Sequence, residues 1–279
     1  MKREIVLITG TSTGFGLLAS LELAQNGYFV IATMRDLRKA DLLKEEAAKM
    51  NLLEKIELVE MDVINQAQIE EVRRDIQTRY GKLDILINNA GYSLGGLTEY
   101  LETEDWKAQL ETNLFGVISV TKAFLPLMRH HRGGKIINLG SISGRLGFPG
   151  LGPYVTSKFA LSGFSESLRL ELLPFNLHVS LIEAGSFKTE IWEKGLSNVA
   201  VIEDEDYTYI KNIHQAATKT AENASNPKEV IRTILHICRA KKPRFRYQVG
   251  KGVKKIIFLK SVLPWSVIEW AIKRKLLNR

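Results

Sequence analysis

The sequence predicts an α/β protein built on a doubly wound parallel sheet with helices on both faces. Three observations predict it. Short β-branched and aliphatic runs alternate with stretches of helical period along most of the chain. The first such run leads straight into a glycine-rich turn, Thr9-Gly10-Thr11-Ser12-Thr13-Gly14-Phe15-Gly16, and then a helix. Nothing like a linker divides the 279 residues, which read as one domain, 1–279. Parallel neighbours joined by helices require crossovers, and these are right-handed.

Residues 4–9 have the pattern of a strand buried on both faces, and residues 17–26, closed by Gly27, that of a helix. In the turn between them, glycines let the backbone approach an anion, while free N–H groups and the helix dipole face it, so the turn reads as a phosphate cradle. Three residues separate its first two glycines, unlike the commoner G-x-G-x-x-G. Residues 28–33 predict strand two, ending in Met34-Arg35-Asp36-Leu37-Arg38. In this fold class that strand end meets the adenosine ribose, where an acidic residue suits a free 2′-hydroxyl and a basic one a 2′-phosphate. Arg35, with Arg38 as helper, points to NADP(H); Asp36 keeps NAD(H) as the alternative unless it caps the next helix.

Residues 37–53 predict a helix, 55–61 strand three ending at Asp62-Val63, 66–80 a helix stopped by Gly81, and 83–87 strand four. Asn88-Asn89-Ala90-Gly91 follows, and Asn and Gly at a strand's C-terminal end can lie against a ligand. Residues 104–129 predict one long helix containing Asn113, where a lone Asn ordinarily serves the backbone or the surface. Residues 135–139 and 176–183 predict strands five and six, with a helix over 153–173 between them. Residues 186–226, poorly periodic and carrying the acidic run Glu203-Asp204-Glu205-Asp206, read as a substrate loop. Phe187, Ile191 and Trp192 within it suit an apolar cleft and ordinary packing equally. A helix over 227–240 and a strand over 244–249 complete the pattern, and residues 250–279 form a basic amphipathic extension.

The polar points of residues 138–160 are Ser141, Tyr154 and Lys158. Tyr154 and Lys158 are four apart, so on a helix they share a face. A phenol near ~10 must fall to about 7 to exchange protons usefully, a shift worth ~4 kcal/mol, and one positive charge at about 4 Å supplies roughly that much. The same spacing recurs at Tyr207/Lys211 and Tyr247/Lys251, where a solvated pair is the better reading. Only Tyr154 has a strand-end serine before it, returned to its helix by a Gly/Pro-rich loop.

A hydrophobic fraction of 45% and a charged fraction of 25% are globular values. A single cysteine, Cys238, excludes an intrachain disulfide and a cysteine-based zinc site, and points to a reducing, cytoplasmic compartment. No apolar run has signal-peptide or membrane-spanning length. The net charge of +8 is a property of the tail: residues 227–279 hold 15 Lys/Arg against 2 Asp/Glu. No zinc finger, helix-turn-helix or aromatic-basic alternation accompanies it, which makes nucleic-acid binding a poor reading. Such a tail suits peripheral contact with an anionic membrane, or packing on its own domain or a partner subunit with its charges solvated.

Taken together, Thr9-Gly10-x-x-x-Gly14-x-Gly16, Asp62, Asn88-Asn89-Ala90-Gly91, Asn113, Ser141 and Tyr154-x-x-x-Lys158 resemble the short-chain dehydrogenase/reductase family over about residues 4–190. Residues 32–37, 157–161, 173–175 and 180–183 resemble the branch holding 17β-hydroxysteroid dehydrogenase type 1 and some retinol dehydrogenases. The resemblance implies a Rossmann-type sheet of about seven strands and hydride transfer between nicotinamide and a hydrophobic carbonyl or alcohol. It implies Tyr154 as acid and base, Lys158 lowering its pKa and holding the nicotinamide ribose, Ser141 orienting the substrate oxygen, and Asn113 in a proton relay. It further implies cofactor contacts from Gly10, Ser12, Thr13, Gly14, Phe15, Gly16, Asp62, Val63, Asn89, Ala90, Gly91, Tyr154, Lys158, Gly185 and Thr189. Ala184-Gly185 stands where many members carry Pro-Gly. Family relatives commonly pair through the helices bearing Asn113 and Tyr154, so a homo-oligomer is implied. The rival class is a dinucleotide-binding sensor or scaffold without turnover, against which the complete Ser/Tyr/Lys set argues.

Overall fold

A computed structural model of the chain describes residues 3–130, 133–189 and 209–277. Seven strands form one parallel sheet: β1 (Ile5–Thr9), β2 (Phe29–Met34), β3 (Ile56–Glu60), β4 (Ile85–Asn88), β5 (Gly134–Leu139), β6 (Leu177–Ala184) and β7 (Arg246–Val249). Their order is β3-β2-β1-β4-β5-β6-β7, so the direction of winding reverses between β1 and β4. Every expected strand is present, because runs such as Ile5-Val6-Leu7-Ile8 are buried on both faces and have no other stable place.

Side-chain alternation divides the core in two. Val6, Ile8, Ile85, Ile87 and Ile137 pack under α1 (Gly14–Gln25), α2 (Asp41–Lys49) and the helix at Lys228–Arg239. Ile5, Leu7, Leu86 and Ile136 pack on the other face under α3 (Gln66–Tyr80), α5 (Gly116–His130) and α6 (Gly152–Glu171). Cys238 is buried in the first cluster, where burial pushes its thiol up to about 12.

Three expectations are corrected. The helix expected over 37–53 begins as a separate 3-10 turn, Leu37–Lys39, capped by Asp36, whose carboxylate accepts from the Arg38 N–H at 3.0 Å; α2 starts only at Asp41. The helix expected over 104–129 is α4 (Thr103–Leu110), a π-helical turn (Glu111–Phe115) and α5, so the turn carrying Asn113 is wider than an α-helix allows. The stretch 186–226 is not all loop, since α7 (Ile210–Glu222) lies within it. None of the side chains of α7 is fully buried, but Ile210, Ile213, Ala216 and Ala217 form a half-buried stripe at helical spacing that the sequence reading passed over. Beyond it come α8 (Lys228–Arg239), β7, α9 (Val253–Val262) and α10 (Trp265–Leu276).

Candidate active site

In an open α/β sheet, ligands bind outside the C-terminal strand ends where the winding reverses. Here that crevice lies at the ends of β1 and β4. Gly10 (φ +70°) and Gly14 (φ +58°) take left-handed backbone conformations that side-chain-bearing residues rarely adopt. A Cβ at Gly10 would lie 2.7 Å from Ala90 Cα, and one at Gly16 would lie 2.2 Å from the Gly10 carbonyl oxygen, so both must be glycine. The β4 end staples itself to this turn. The Asn89 amide donates to the Thr9 and Gly10 carbonyls at 2.8 Å, and the Thr9 hydroxyl accepts from the Asn89 and Ala90 N–H groups at 3.0 Å. α1 follows Thr13, which makes no side-chain cap bond, and has no acidic residue in its first turn, leaving the positive end of its dipole uncompensated. Ser12 precedes it in the turn, and Thr189 lies across from it, its Cβ 3.8 Å from where a Gly14 Cβ would stand.

Phe15 and Phe187 meet edge to face with ring centroids 5.6 Å apart. Phe187 is buried in the core, which decides between its two readings in favour of packing; Ile191, Trp192, Tyr207 and the acidic run 203–206 lie outside the described residues. Arg35, at the end of β2, is exposed, whereas Arg38 is held by Asp36 through Nε at 2.9 Å and Nη2 at 3.0 Å. Past β3, Asp62 accepts from the Ile64 N–H at 3.1 Å, and Val63 is buried against Gly116. Gly185 is held by a 2.9 Å bond from its N–H to the Val249 carbonyl and leaves no room for a Cβ beside Val253.

Ser141 follows β5 by two residues and its Oγ accepts from the Ser143 N–H at 3.0 Å, while Tyr154 lies in the first turn of α6 with its phenol within reach of the Ser141 hydroxyl. Contrary to the fall expected from Lys158, burial raises the Tyr154 phenol above its ordinary value, and it is the Ser141 hydroxyl that draws it back. Lys158, one helical turn on, is buried; its ammonium donates to the Leu139 carbonyl at 2.9 Å and lies 5.7 Å from the centroid of the Tyr154 ring. Burial pushes it down to about 8. The Tyr247/Lys251 pair is set apart by its setting: Tyr247 is in β7, and its hydroxyl accepts from the Arg244 N–H.

Asn113 is buried in the π-turn and clamps one residue of the β4 loop from both sides. Its Oδ1 accepts from the Tyr92 N–H at 3.0 Å, and its Nδ2 donates to the Tyr92 carbonyl at 2.8 Å and to the Ser157 hydroxyl at 3.2 Å. Ser157 in turn donates to the Tyr154 carbonyl at 2.7 Å. Gln109, which the sequence reading passed over, completes the clamp. It is fully buried, accepts from the Leu94 N–H at 2.8 Å and donates to the Tyr92 carbonyl at 3.0 Å. Its spacing of four from Asn113 was the available signal. The sequence reading also passed over Glu183, buried at the end of β6, which pairs with Arg145 at 3.1 Å and Arg246 at 2.7 Å.

The fold and this polar arrangement are those of a nucleotide-linked oxidoreductase, and the comparisons agree. The short chain dehydrogenase family profile matches residues 4–199, and the chain belongs to that family. It is 44% identical over 282 residues to the uncharacterized oxidoreductase YusZ of Bacillus subtilis (strain 168), covering all of both chains. It is 34% identical to a 3-ketodihydrosphingosine reductase of Bacteroides thetaiotaomicron, covering 98% of each chain. It is 35% identical to human 17-beta-hydroxysteroid dehydrogenase type 1, over 88% of this chain and 77% of that one. Among solved structures, the closed form of a serine dehydrogenase complexed with NADP+ superposes with a TM-score of 0.75 at 29% identity, over 88% of this chain and 94% of that one.

Proposed function

We propose that this oxidoreductase interconverts a hydrophobic ketone or aldehyde and its alcohol with NADP(H), Tyr154 passing the proton. The observation that carries the reading is the Tyr154 phenol beside the Ser141 hydroxyl with a buried lysine one helical turn away. NADP(H) fits the residues present: the crowded Gly10 and Gly16 leave backbone rather than side chain at the start of α1, and Arg35 stands exposed at the end of β2 to meet a 2′-phosphate. The complexed serine dehydrogenase supports the same choice. A nicotinamide cofactor supplies or accepts the hydride; the chain supplies the proton path and the orientation.

In the reducing direction Tyr154 gives its phenolic proton to the substrate oxygen, and in the oxidising direction takes it back. Ser141 holds that oxygen by a second hydrogen bond. The Lys158 charge favours the phenolate and its N–H groups suit the nicotinamide ribose. Asn113 fixes the Tyr92 backbone and, through Ser157, the first turn of α6 on which Tyr154 rides. A hydrophobic substrate is supported by the sphingoid and steroid specificities that two relatives' names carry. A homo-oligomer is supported by the exposed Phe115 on the π-turn and Leu170 on α6. The unpaired Cys238 supports a reducing, cytoplasmic setting.

The test is NADPH consumption across a panel of hydrophobic ketones and aldehydes. Turnover of at least one apolar class is expected, with Tyr154→Phe slowing it by about 10²–10⁴-fold while NADPH affinity holds. Retained activity in the Phe variant removes Tyr154 from its role. NADPH binding without turnover on any member of the panel overturns the carbonyl reading.

A further inference from the structure

Nine of the nineteen exposed large hydrophobic side chains among the described residues lie between Ile256 and Leu277. α9 meets the body along a narrow stripe, buried Val253 with half-buried Ile257 and Lys260, spaced as one helix face. Lys260 donates to the Arg145 carbonyl at 2.5 Å and lies 5.4 Å from the centre of the Phe159 ring, beside Lys158 in sequence. α10 turns Ile268, Ile272 and Leu276 inward, and Asn212 of α7 donates to the Leu276 carbonyl at 2.6 Å. The remaining faces carry Phe258 (64% exposed), Val262, Trp265, Val267 and Trp270 (61% exposed), with Lys254, Lys255 and Lys273 also exposed. Residues 251–279 hold eight Lys/Arg against one acidic residue, Glu269, which accepts a 2.6 Å bond from the Trp265 indole.

Singly exposed apolar side chains are ordinary, but this concentration of them is not. We propose that the outer face of α9 and α10 docks peripherally on an anionic lipid surface. Phe258, Val262 and Trp270 enter the boundary between headgroups and acyl chains, and the lysines meet the lipid phosphates. With 10 and 12 residues, α9 and α10 are too short to span a bilayer, and no helix among the described residues is long and apolar enough to do so, so the contact runs along the surface. Charge decides between lipid and a second copy. An isologous dimer through this face would set one strongly basic surface against another, whereas anionic lipid is complementary to it. The Lys260–Arg145 bond ties this face to the loop following Ser141, so docking holds the rim of the candidate active site beside the lipid. The inference goes beyond the oxidoreductase reading and does not require turnover.

Co-sedimentation of the full chain with vesicles tests it, comparing phosphatidylcholine alone with a mixture containing about one-third phosphatidylglycerol. Pelleting is expected with the anionic vesicles only, weakening as salt rises from about 0.1 M to about 0.5 M. The double variant Phe258→Glu/Trp270→Glu and the double variant Lys254→Glu/Lys255→Glu should each lose about tenfold or more in partitioning, since each basic residue near such a surface is worth about fivefold. Both should keep wild-type NADPH binding in lipid-free buffer, which shows them folded. Absence of pelleting, or pelleting that the variants leave unchanged, overturns the proposal. So does a concentration-dependent dimer in sedimentation equilibrium that the same variants abolish, which would assign the face to a second copy.

Discussion

Lys158 shows what a single buried charge does to this chain. Its folded value, about 8, lies below the 10.5 of an exposed lysine, so the unfolded state holds the proton more tightly. The stability cost is therefore full below about pH 8, shrinks as pH rises and is gone above about 10.5. Lys158→Met should raise the stability of the cofactor-free protein by roughly 2–3 kcal/mol at pH 7 while removing activity. In urea melts that gain should fade between about pH 8 and about 10.5, and a gain that grows with pH would reverse the assignment. At the other end of the crevice, Arg35 is exposed where Arg38 is held by Asp36. Arg35→Ala should weaken NADPH about 10–100-fold, or about 1.4–2.8 kcal/mol, and NADH far less. Fluorescence titration with both cofactors reads the difference, and equal losses would reject Arg35 as the phosphate contact.

Among the elements, the π-turn between α4 and α5 is the one whose irregularity has a local explanation. Asn113 and Gln109 satisfy the backbone of Tyr92 and Leu94, a loop with no strand partner there to do so. Asn113→Ala strands those buried groups and should cost about 2–4 kcal/mol in urea, together with a drop in kcat. A loss confined to stability, with kcat unchanged, would make the residue a loop anchor only. The glycine turn is constrained in the same sense by tertiary approach: Gly16 is required by the Gly10 carbonyl and the Asn89 amide rather than by its own torsion angles. Sequence spacing marked these glycines as a cradle. It did not show that Asn89 is what closes on them.

For the molecule as a whole, Glu183 is the buried junction. Its carboxylate gathers Arg145 from the loop after β5 and Arg246 from β7, and Arg246 also reaches Ser162 and Glu166 on α6. Removing one partner of a buried ion pair leaves an uncompensated charge, so Glu183→Ala should cost about 3–5 kcal/mol by urea midpoint, and a loss under about 1 kcal/mol would show the cluster to be well solvated. The sequence alone determined the alternation of strands and helices, the cradle at Gly10–Gly16, and the Ser141/Tyr154/Lys158 set, because each is written in local spacing: a period, a turn, a helix face. The tertiary structure alone decided that Phe187 packs inward, that Asn113 sits in a π-turn, and that Glu183 binds two arginines. Each of those turns on which distant segments come within a few ångströms, and pairing between segments far apart leaves no period in the chain to read.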